Sequence, residues 1–126
     1  MATDDANFSG NNYSISAWLK RNTDSGAAEI LIDNRDAAND GQLVQISATD
    51  KFECYYNATA SVSTTSVSTN TWYHLECTSN GTTQRLYING SQEDSDGLSG
   101  SISEATDFRV GAQSFTSAAS FFPGVL

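Results

Sequence analysis

Basic residues are scarce in this chain of 126 residues. Six Lys and Arg stand against 15 Asp and Glu, which gives a formal net charge of −9. Nucleic-acid binding depends on clustered basic side chains that neutralise phosphates, and anionic membranes attract the same clusters. The charge balance therefore predicts no nucleic-acid partner and no membrane-surface partner. Neutral glycans, cationic surfaces, calcium and proteins stay open as partners.

Long apolar runs are missing as well. The sequence has no run of 18 apolar residues, so no membrane insertion is expected. The segment from Met1 to Ala6 is acidic and leads into no apolar core, unlike a secretory signal peptide. No helical pattern extends beyond about ten residues. Abundant Ser, Thr, Asn and Gly with a single Pro is typical of an extracellular β-rich module.

Cysteine is limited to Cys54 and Cys77. Residue alternation puts Cys54 on the same strand face as Phe52, and Cys77 on the same strand face as Leu75. Both thiols are therefore predicted to point into a core. A disulfide needs the two Cα atoms within about 7 Å, which the spacing does not decide. Two buried free thiols and one disulfide both stay open. A cysteine metal site is disfavoured because no Cys-x-x-Cys pair and no second His is present.

The stretch from Thr71 to Gly90 contains the clearest structural signal. Asn80-Gly81 and Asn89-Gly90 each follow an alternating run, and Asn-Gly is the strongest short-range signal for a β-hairpin. Three strands in a meander are predicted. Alternation predicts one face with Tyr73, Leu75 and Cys77, and an opposite face with Trp72, His74, Glu76 and Thr78.

The same stretch resembles a known family. Trp72 to Leu75, a polar turn, and Arg85 to Gly90 are similar to the signature of laminin G-like domains, in the concanavalin A-like lectin and glucanase superfamily. Further segments agree in order, namely Tyr13 to Lys20, Ile30 to Asp33, Phe108 to Ala112 and Phe121 to Leu126. The resemblance implies one all-β domain over residues 1–126, a two-sheet antiparallel jelly-roll sandwich.

Two strands of the family pattern are not found in the sequence. Relatives usually begin with one more strand before the segment at Tyr13, and they end with another after the segment at Leu126. A sandwich without its first and last strands would expose sheet edges, which proteins normally cover. We therefore expect a fragment of a longer chain, or a subunit whose open edge is completed by a neighbouring chain.

Carboxylate spacing argues against an enzyme. Polysaccharide-cutting members of the superfamily carry carboxylates that alternate on one strand and face the same cleft. Glu29 and Asp33 have no acid between them, and Ser91 to Gly100 is predicted to be an acidic loop. No catalytic residue and no enzymatic activity are expected.

Aromatic residues are the ligand-binding candidates. Residue alternation places four of them opposite the more apolar face of their strands, namely Tyr55, Tyr87, Trp18 and Trp72. Such rings stack on pyranose rings in lectins. For the two Trp, packing in the core or between subunits is an open alternative.

Two acidic clusters are candidates for calcium, which prefers hard oxygen ligands. One contains Asp33, Asp36 and Asp40, and the other contains Asp94 and Asp96. Solvated, turn-forming acids are the alternative at both places. The loops at 33–41 and 91–100 are expected to be where recognition takes place.

The sequence as a whole predicts a non-enzymatic extracellular recognition module that binds a glycan or a protein surface. The alternative is a structural or decoration subunit of a virion or surface assembly. The expected location is accordingly extracellular or on a virion surface.

Overall fold

The computed structural model describes residues 11–36, 40–100, 102, 108–113 and 120–126. The described residues form ten strands. In chain order they are β1 (Asn12–Arg21), β2 (Glu29–Asp33), β3 (Gln42–Ile46), β4 (Lys51–Tyr56), β5 (Thr59–Ser66), β6 (Trp72–Asn80), β7 (Thr83–Ile88), β8 (Ser91–Gly97), β9 (Arg109–Val110) and β10 (Gly124–Val125).

The strands form two five-stranded sheets. The first sheet has the order β10-β1-β6-β7-β8, and the second has the order β5-β4-β3-β2-β9. Apolar residues from both sheets form one buried cluster, which includes Leu19, Leu31, Val44, Phe52, Leu75 and Leu86. The predicted all-β, two-sheet antiparallel sandwich is confirmed. The absence of a first and a last strand stays a prediction.

β1 and β6 form the longest pairing of the first sheet, from Asn12 opposite Asn80 to Lys20 opposite Trp72. Along both strands, more buried residues alternate with more exposed ones. Leu19 lies opposite Tyr73, and both are buried. Side chains of a strand alternate between its two faces, so the intervening residues point outward. The predicted faces of β6 are confirmed.

The predicted three-stranded meander is present as β6, β7 and β8, although its third strand lies where an acidic loop was also predicted. Asn89 and Gly90 both have positive φ, 51° and 81°, as a type I′ hairpin turn requires. At the other turn only Gly81 has positive φ. There the Asn80 side-chain oxygen accepts hydrogen bonds from the backbone N–H groups of Thr82 and Thr83, at 3.2 and 2.9 Å.

The prediction of an acidic loop from Ser91 to Gly100 is wrong for most of its length, because Ser91–Gly97 is strand β8. β8 pairs with β7 and forms one edge of the first sheet. Acidic residues are depleted in β-strands, so the sequence did not favour a strand here. In the structure their carboxylates accept hydrogen bonds from β5 of the other sheet.

Cys54 on β4 and Cys77 on β6 form a disulfide that joins the two sheets. Their Cα atoms lie 6.3 Å apart, and both residues are buried. Of the two states that the sequence left open, the structure has the cross-linked one rather than two free thiols.

Gln84 on β7 is a second, polar link between the sheets. Its side chain is fully buried, and its amide nitrogen donates to the Cys54 carbonyl at 2.8 Å and to Ser61 Oγ at 2.9 Å. Its amide oxygen accepts from the Tyr13 hydroxyl at 2.5 Å. Burial, with the nearby Tyr56 hydroxyl, raises the pKa of Tyr13 and keeps it a donor. Each buried polar atom of the Gln84 amide group is thus hydrogen-bonded, as burial requires.

Candidate functional site

The outward face of the first sheet exposes two large aromatic side chains. Trp18 on β1 is 61% exposed and Trp72 on β6 is 48% exposed. Their neighbours Leu19 and Tyr73 point into the core, which turns both indoles to the solvent side. Packing of these Trp residues in the core, an alternative from the sequence, is therefore wrong.

Four side chains form a compact cluster at this place. Trp18 lies opposite His74, with ring centroids 5.1 Å apart and ring planes tilted by 45°. Lys20 lies opposite Trp72, and its ammonium nitrogen is 5.6 Å from the centroid of the indole ring. That distance is within the range of a cation–π interaction. The cluster thus combines three aromatic rings with one ammonium group across two paired strands.

The aromatic surface continues onto β7. Tyr87 lies opposite Glu76, and Arg85 lies opposite Thr78, so all four share the outward face with His74. Successive outward residues on a strand are about 6.8 Å apart, and neighbouring strands are about 4.8 Å apart. We call the surface formed by Trp18, Trp72, His74 and Tyr87 the aromatic face. It is an open surface that crosses three strands of the sheet.

Tyr55 does not belong to the aromatic face. It lies on β4 of the second sheet, opposite Leu43 and Ala60, and its half-buried side chain points away from the core. The Tyr55 hydroxyl donates to Glu53 at 3.2 Å. Burial and the charge of Glu53 raise the pKa of Tyr55. Of the four aromatic candidates, the structure brings three together and leaves Tyr55 on the other side of the sandwich.

The acids of the first predicted calcium cluster serve local structure. Asp33 is fully buried, and its Oδ1 accepts from the backbone N–H and the Nε of Arg35, both at 3.0 Å. Asp36 Oδ1 accepts from the backbone N–H of Asp40 at 2.9 Å. These contacts close the polar loop after β2. Asn39 of this loop lies outside the described residues.

The acids of the second cluster join the sheets at one edge. Asp94 Oδ2 accepts from the Val62 backbone N–H, and Asp96 Oδ2 accepts from Ser61 Oγ, both at 2.7 Å. Glu93 accepts from the Thr65 backbone N–H at 2.8 Å and from the Thr65 hydroxyl at 2.5 Å. We call this set of contacts between edge strands the β5–β8 seam.

Metal binding by these acids stays a prediction. Among the residues that the structure describes, no three His, Cys, Asp or Glu side chains are arranged so that they could hold a metal ion.

Comparison with known families identifies the fold. A laminin G family model, described as the concanavalin A-like lectin/glucanases superfamily, matches residues 1–126. The chain belongs to this superfamily. The resemblance inferred from Trp72 to Gly90 is thereby confirmed.

Solved structures of low identity share this laminin G-like fold. A carbohydrate-binding module of a Ruminococcus gnavus sialidase has a TM-score of 0.73 at 12% identity, over 93% of this chain and 73% of that one. A putative carbohydrate binding protein from Bacteroides ovatus has a TM-score of 0.71 at 15% identity, over 95% of this chain and 36% of that one. Domains LG4-5 of mouse laminin α1 have a TM-score of 0.69 at 15% identity, over 94% of this chain and 36% of that one.

The laminin G-like chain thus spans 36% of the length of two of these structures. A comparison with curated proteins gave no match. Within the part of the chain that the structure describes, no helix has the length and apolar character needed to cross a membrane.

The β5–β8 seam is expected to make the stability of the laminin G-like domain depend on pH. Burial raises the pKa of Glu93, but hydrogen bonds from Thr65 and Thr64 outweigh it and hold the pKa below 4.5. Because the folded-state pKa is lowered, this stabilisation is present above about pH 4.5 and is lost as the pH falls further. Glu93→Gln is expected to lower the free energy of unfolding by about 1 kcal/mol at pH 7.

The pH dependence is measured by thermal unfolding between pH 7 and pH 3. The difference between wild type and Glu93→Gln should shrink as the pH falls through the acidic range. Glu76→Gln, which changes the same charge away from the seam, is the control. An equal difference at pH 7 and at pH 3 would contradict a role for the ionised carboxylate.

Sequence reasoning missed two residues that share the outward face. Lys20 follows Trp18 by two positions, and Arg85 precedes Tyr87 by two. Alternation, which identified the aromatic residues, also places these cations beside them. The signal was therefore available in the sequence.

Proposed function

We propose that this laminin G-like domain is a non-enzymatic recognition module that binds a saccharide on the aromatic face. The observation that carries this proposal is the pair of exposed indoles, Trp18 and Trp72, which lie on the same face of two neighbouring strands. A contiguous exposed apolar patch on a soluble protein marks an interaction site more often than single exposed residues do.

The chemistry of the aromatic face suits a sugar. One face of a pyranose ring presents C–H groups, which stack on the flat surface of an indole, and burial of that surface is favourable. Hydroxyl groups at the rim of the ring need hydrogen-bond partners. The Tyr87 hydroxyl, the His74 ring nitrogens and the Glu76 carboxylate on the same face supply donors and acceptors.

The comparisons support the same class of ligand. The Bacteroides ovatus structure is titled a putative carbohydrate binding protein, and the Ruminococcus gnavus module was solved with α2,3-sialyllactose bound. At 12% to 15% identity these structures share the fold, and the ligand class is our proposal for this chain.

The disulfide supports an extracellular location. Disulfides form and persist in oxidising compartments and are rare in the cytosol. The bond between Cys54 and Cys77 joins the two sheets in the core, where it serves structure. We propose that the domain works outside the cytoplasm, where glycans of cell surfaces or polysaccharides are available.

The carboxylates of β2 support binding without catalysis. Glu29 lies opposite Ile46 and faces the core, but the irregularity between Ile30 and Ile32 puts Asp33 opposite Leu43, on the other face. Two carboxylates on opposite faces of one sheet cannot act on the same glycosidic bond.

Removal of one indole tests the site. Trp18→Ala and Trp72→Ala are each expected to weaken saccharide binding by about tenfold or more, which corresponds to about 1.4 kcal/mol. Binding is measured by isothermal titration with saccharides first identified on a glycan array. The fold should be unchanged, because both side chains are exposed.

Phe121→Ala is the matched control. Phe121 is 61% exposed, like Trp18, but it lies next to Ile30 of the second sheet. Tyr55→Ala gives a second control on that sheet. Loss of binding in either control, with binding retained in both Trp variants, would exclude the aromatic face. Failure of the wild type to bind any saccharide, together with assembly on a sizing column, would favour the structural-subunit alternative.

A further inference from the structure

We propose that the saccharide recognised by the aromatic face is acidic and that Lys20, beside Trp72, binds its carboxylate or sulfate group. This inference rests on the proposed function and names the class of ligand. It follows from how the few basic residues are distributed over the two sides of the first sheet.

The chain contains six basic residues, and most of them are engaged elsewhere. The buried Arg21 forms ion pairs with three carboxylates, and Arg35 pairs with Asp33. Lys51 donates to the Thr64 carbonyl, and Arg109 donates to the Gln113 carbonyl. The remaining two, Lys20 and Arg85, both lie on the outward face of the first sheet.

Two adjacent basic residues of β1, Lys20 and Arg21, point to opposite sides of the first sheet and differ in their acidic neighbours. Arg21 points inward, and three carboxylates surround its guanidinium, with Asp50 at 2.8 Å, Asp24 at 3.4 Å and Glu29 at 3.9 Å. Lys20 is the preceding residue and points to the opposite side of the strand. The acids at this end of the sandwich are therefore gathered around Arg21, and no ion pair holds Lys20 within the described part of the chain.

The outward face consequently has a charge balance unlike that of the whole chain. On β1, β6 and β7 its charged residues are Lys20, Arg85 and Glu76, which sum to +1 with His74 neutral, whereas the chain carries −9. The acids of β8 are turned toward β5 in the seam. At physiological ionic strength the Debye length is about 8 Å, so nearby charges decide the interaction with a ligand.

The position of Lys20 links charge to stacking. Its ammonium group lies 5.6 Å from the centre of the Trp72 ring, and Lys20 as a residue is half-buried. A sugar ring stacked on Trp72 would displace the ammonium group from above the indole and bring its acidic substituent beside that group. A charge-assisted hydrogen bond to an anion is about twice as strong as a neutral one. Because an ammonium group is a point charge, carboxylate and sulfate are both suitable.

The test uses acidic polysaccharides and their neutral counterparts. The affinity for uronic-acid polymers is compared with the affinity for the same polymers after reduction of their carboxyl groups. The affinity for sulfated polymers is compared with the affinity for the same polymers after desulfation. The wild type is expected to bind at least one acidic form about tenfold more tightly than its neutral counterpart, and this preference should fall in high salt. The two arms show which acidic group is recognised.

Lys20→Gln should abolish the preference for the acidic form, so that the acidic polymer and its neutral counterpart bind with similar affinity. Lys51→Gln, which removes the chain's other lysine, is the control for net charge and should keep the preference. Equal binding of acidic and neutral forms by the wild type, or a preference retained in Lys20→Gln, would overturn the inference and leave saccharide binding intact. Failure to bind any member would overturn the proposed function as well.

Discussion

Substitution of Arg21 by methionine is expected to lower the free energy of unfolding by about 3 to 5 kcal/mol, because removal of one partner of a buried ion pair leaves the other charge uncompensated. Arg21 is 3% exposed and Glu29 is fully buried. Urea unfolding at pH 7, followed by fluorescence of the two Trp, measures the effect.

The geometry explains why the cost is large. Arg21 Nη1 contacts Asp50 at 2.8 Å, and Nη2 donates to the Val67 carbonyl at 2.9 Å. Glu29 accepts from the Ser25 backbone N–H through Oε1, while its Oε2 accepts no hydrogen bond from the described residues. Glu29 thus depends on the guanidinium charge at 3.9 Å. Without Arg21, a buried carboxylate has to lose its charge or bring water into the core.

A double-mutant cycle separates the charge from the packing. Arg21→Met with Glu29→Gln removes both charges, so it should be less destabilised than Arg21→Met alone. Arg85→Met, on the outward face, is the control and should change stability by no more than about 0.5 kcal/mol. If Arg21→Met were no less stable than Arg85→Met, the ion cluster would not contribute to the fold.

Local sequence pattern was sufficient for β1, β6 and β7 of the first sheet. Asn89-Gly90 determined one hairpin because both residues accept positive φ, and alternation in β1 and β6 determined which side chains are buried. Such features depend only on neighbours in the chain. The sequence therefore predicted that Trp72 and Tyr73 lie on opposite faces of β6 without knowledge of any tertiary contact.

Features that depend on contacts between distant segments could not be predicted. Glu93 to Asp96 looked like a loop, because the donors that stabilise their carboxylates belong to β5, about 30 residues earlier in the chain. Gln84 and Arg21 were not singled out for the same reason. Their partners come from other strands, so no local pattern identifies either residue.

The candidate site was predicted in part. Alternation placed Trp18, Trp72 and Tyr87 on outward faces, and the pairing of β1, β6 and β7 brings them together. The same rule placed Tyr55 outward, but a sandwich has two outward faces on opposite sides. Alternation within a strand does not tell which sheet the strand joins. Most of the expected recognition loop at 91–100 is strand β8, and recognition at this segment stays a prediction.

Replacement of both cysteines by alanine is expected to lower the free energy of unfolding by about 3 kcal/mol. The disulfide closes a loop with a sequence separation of 23 residues. In the loop-entropy treatment, restriction of the unfolded chain by a loop of this length accounts for about 3 kcal/mol. Cys54 and Cys77 also fill space in the core beside Leu75 and Leu86. Truncation to alanine adds a smaller packing loss.

Reduction of the wild type distinguishes the cross-link from the packing. Urea unfolding with a reductant, after enough time in the unfolded state for the bond to be reduced, keeps both sulfur atoms but removes the covalent link. If restriction of the unfolded chain is the main effect, the reduced wild type should approach the double variant in stability. If packing of the sulfur atoms is the main effect, reduction should change little while the variant remains destabilised. We expect the first result, because the bond joins β4 and β6 on opposite sheets, where a cross-link limits the separation of the two layers.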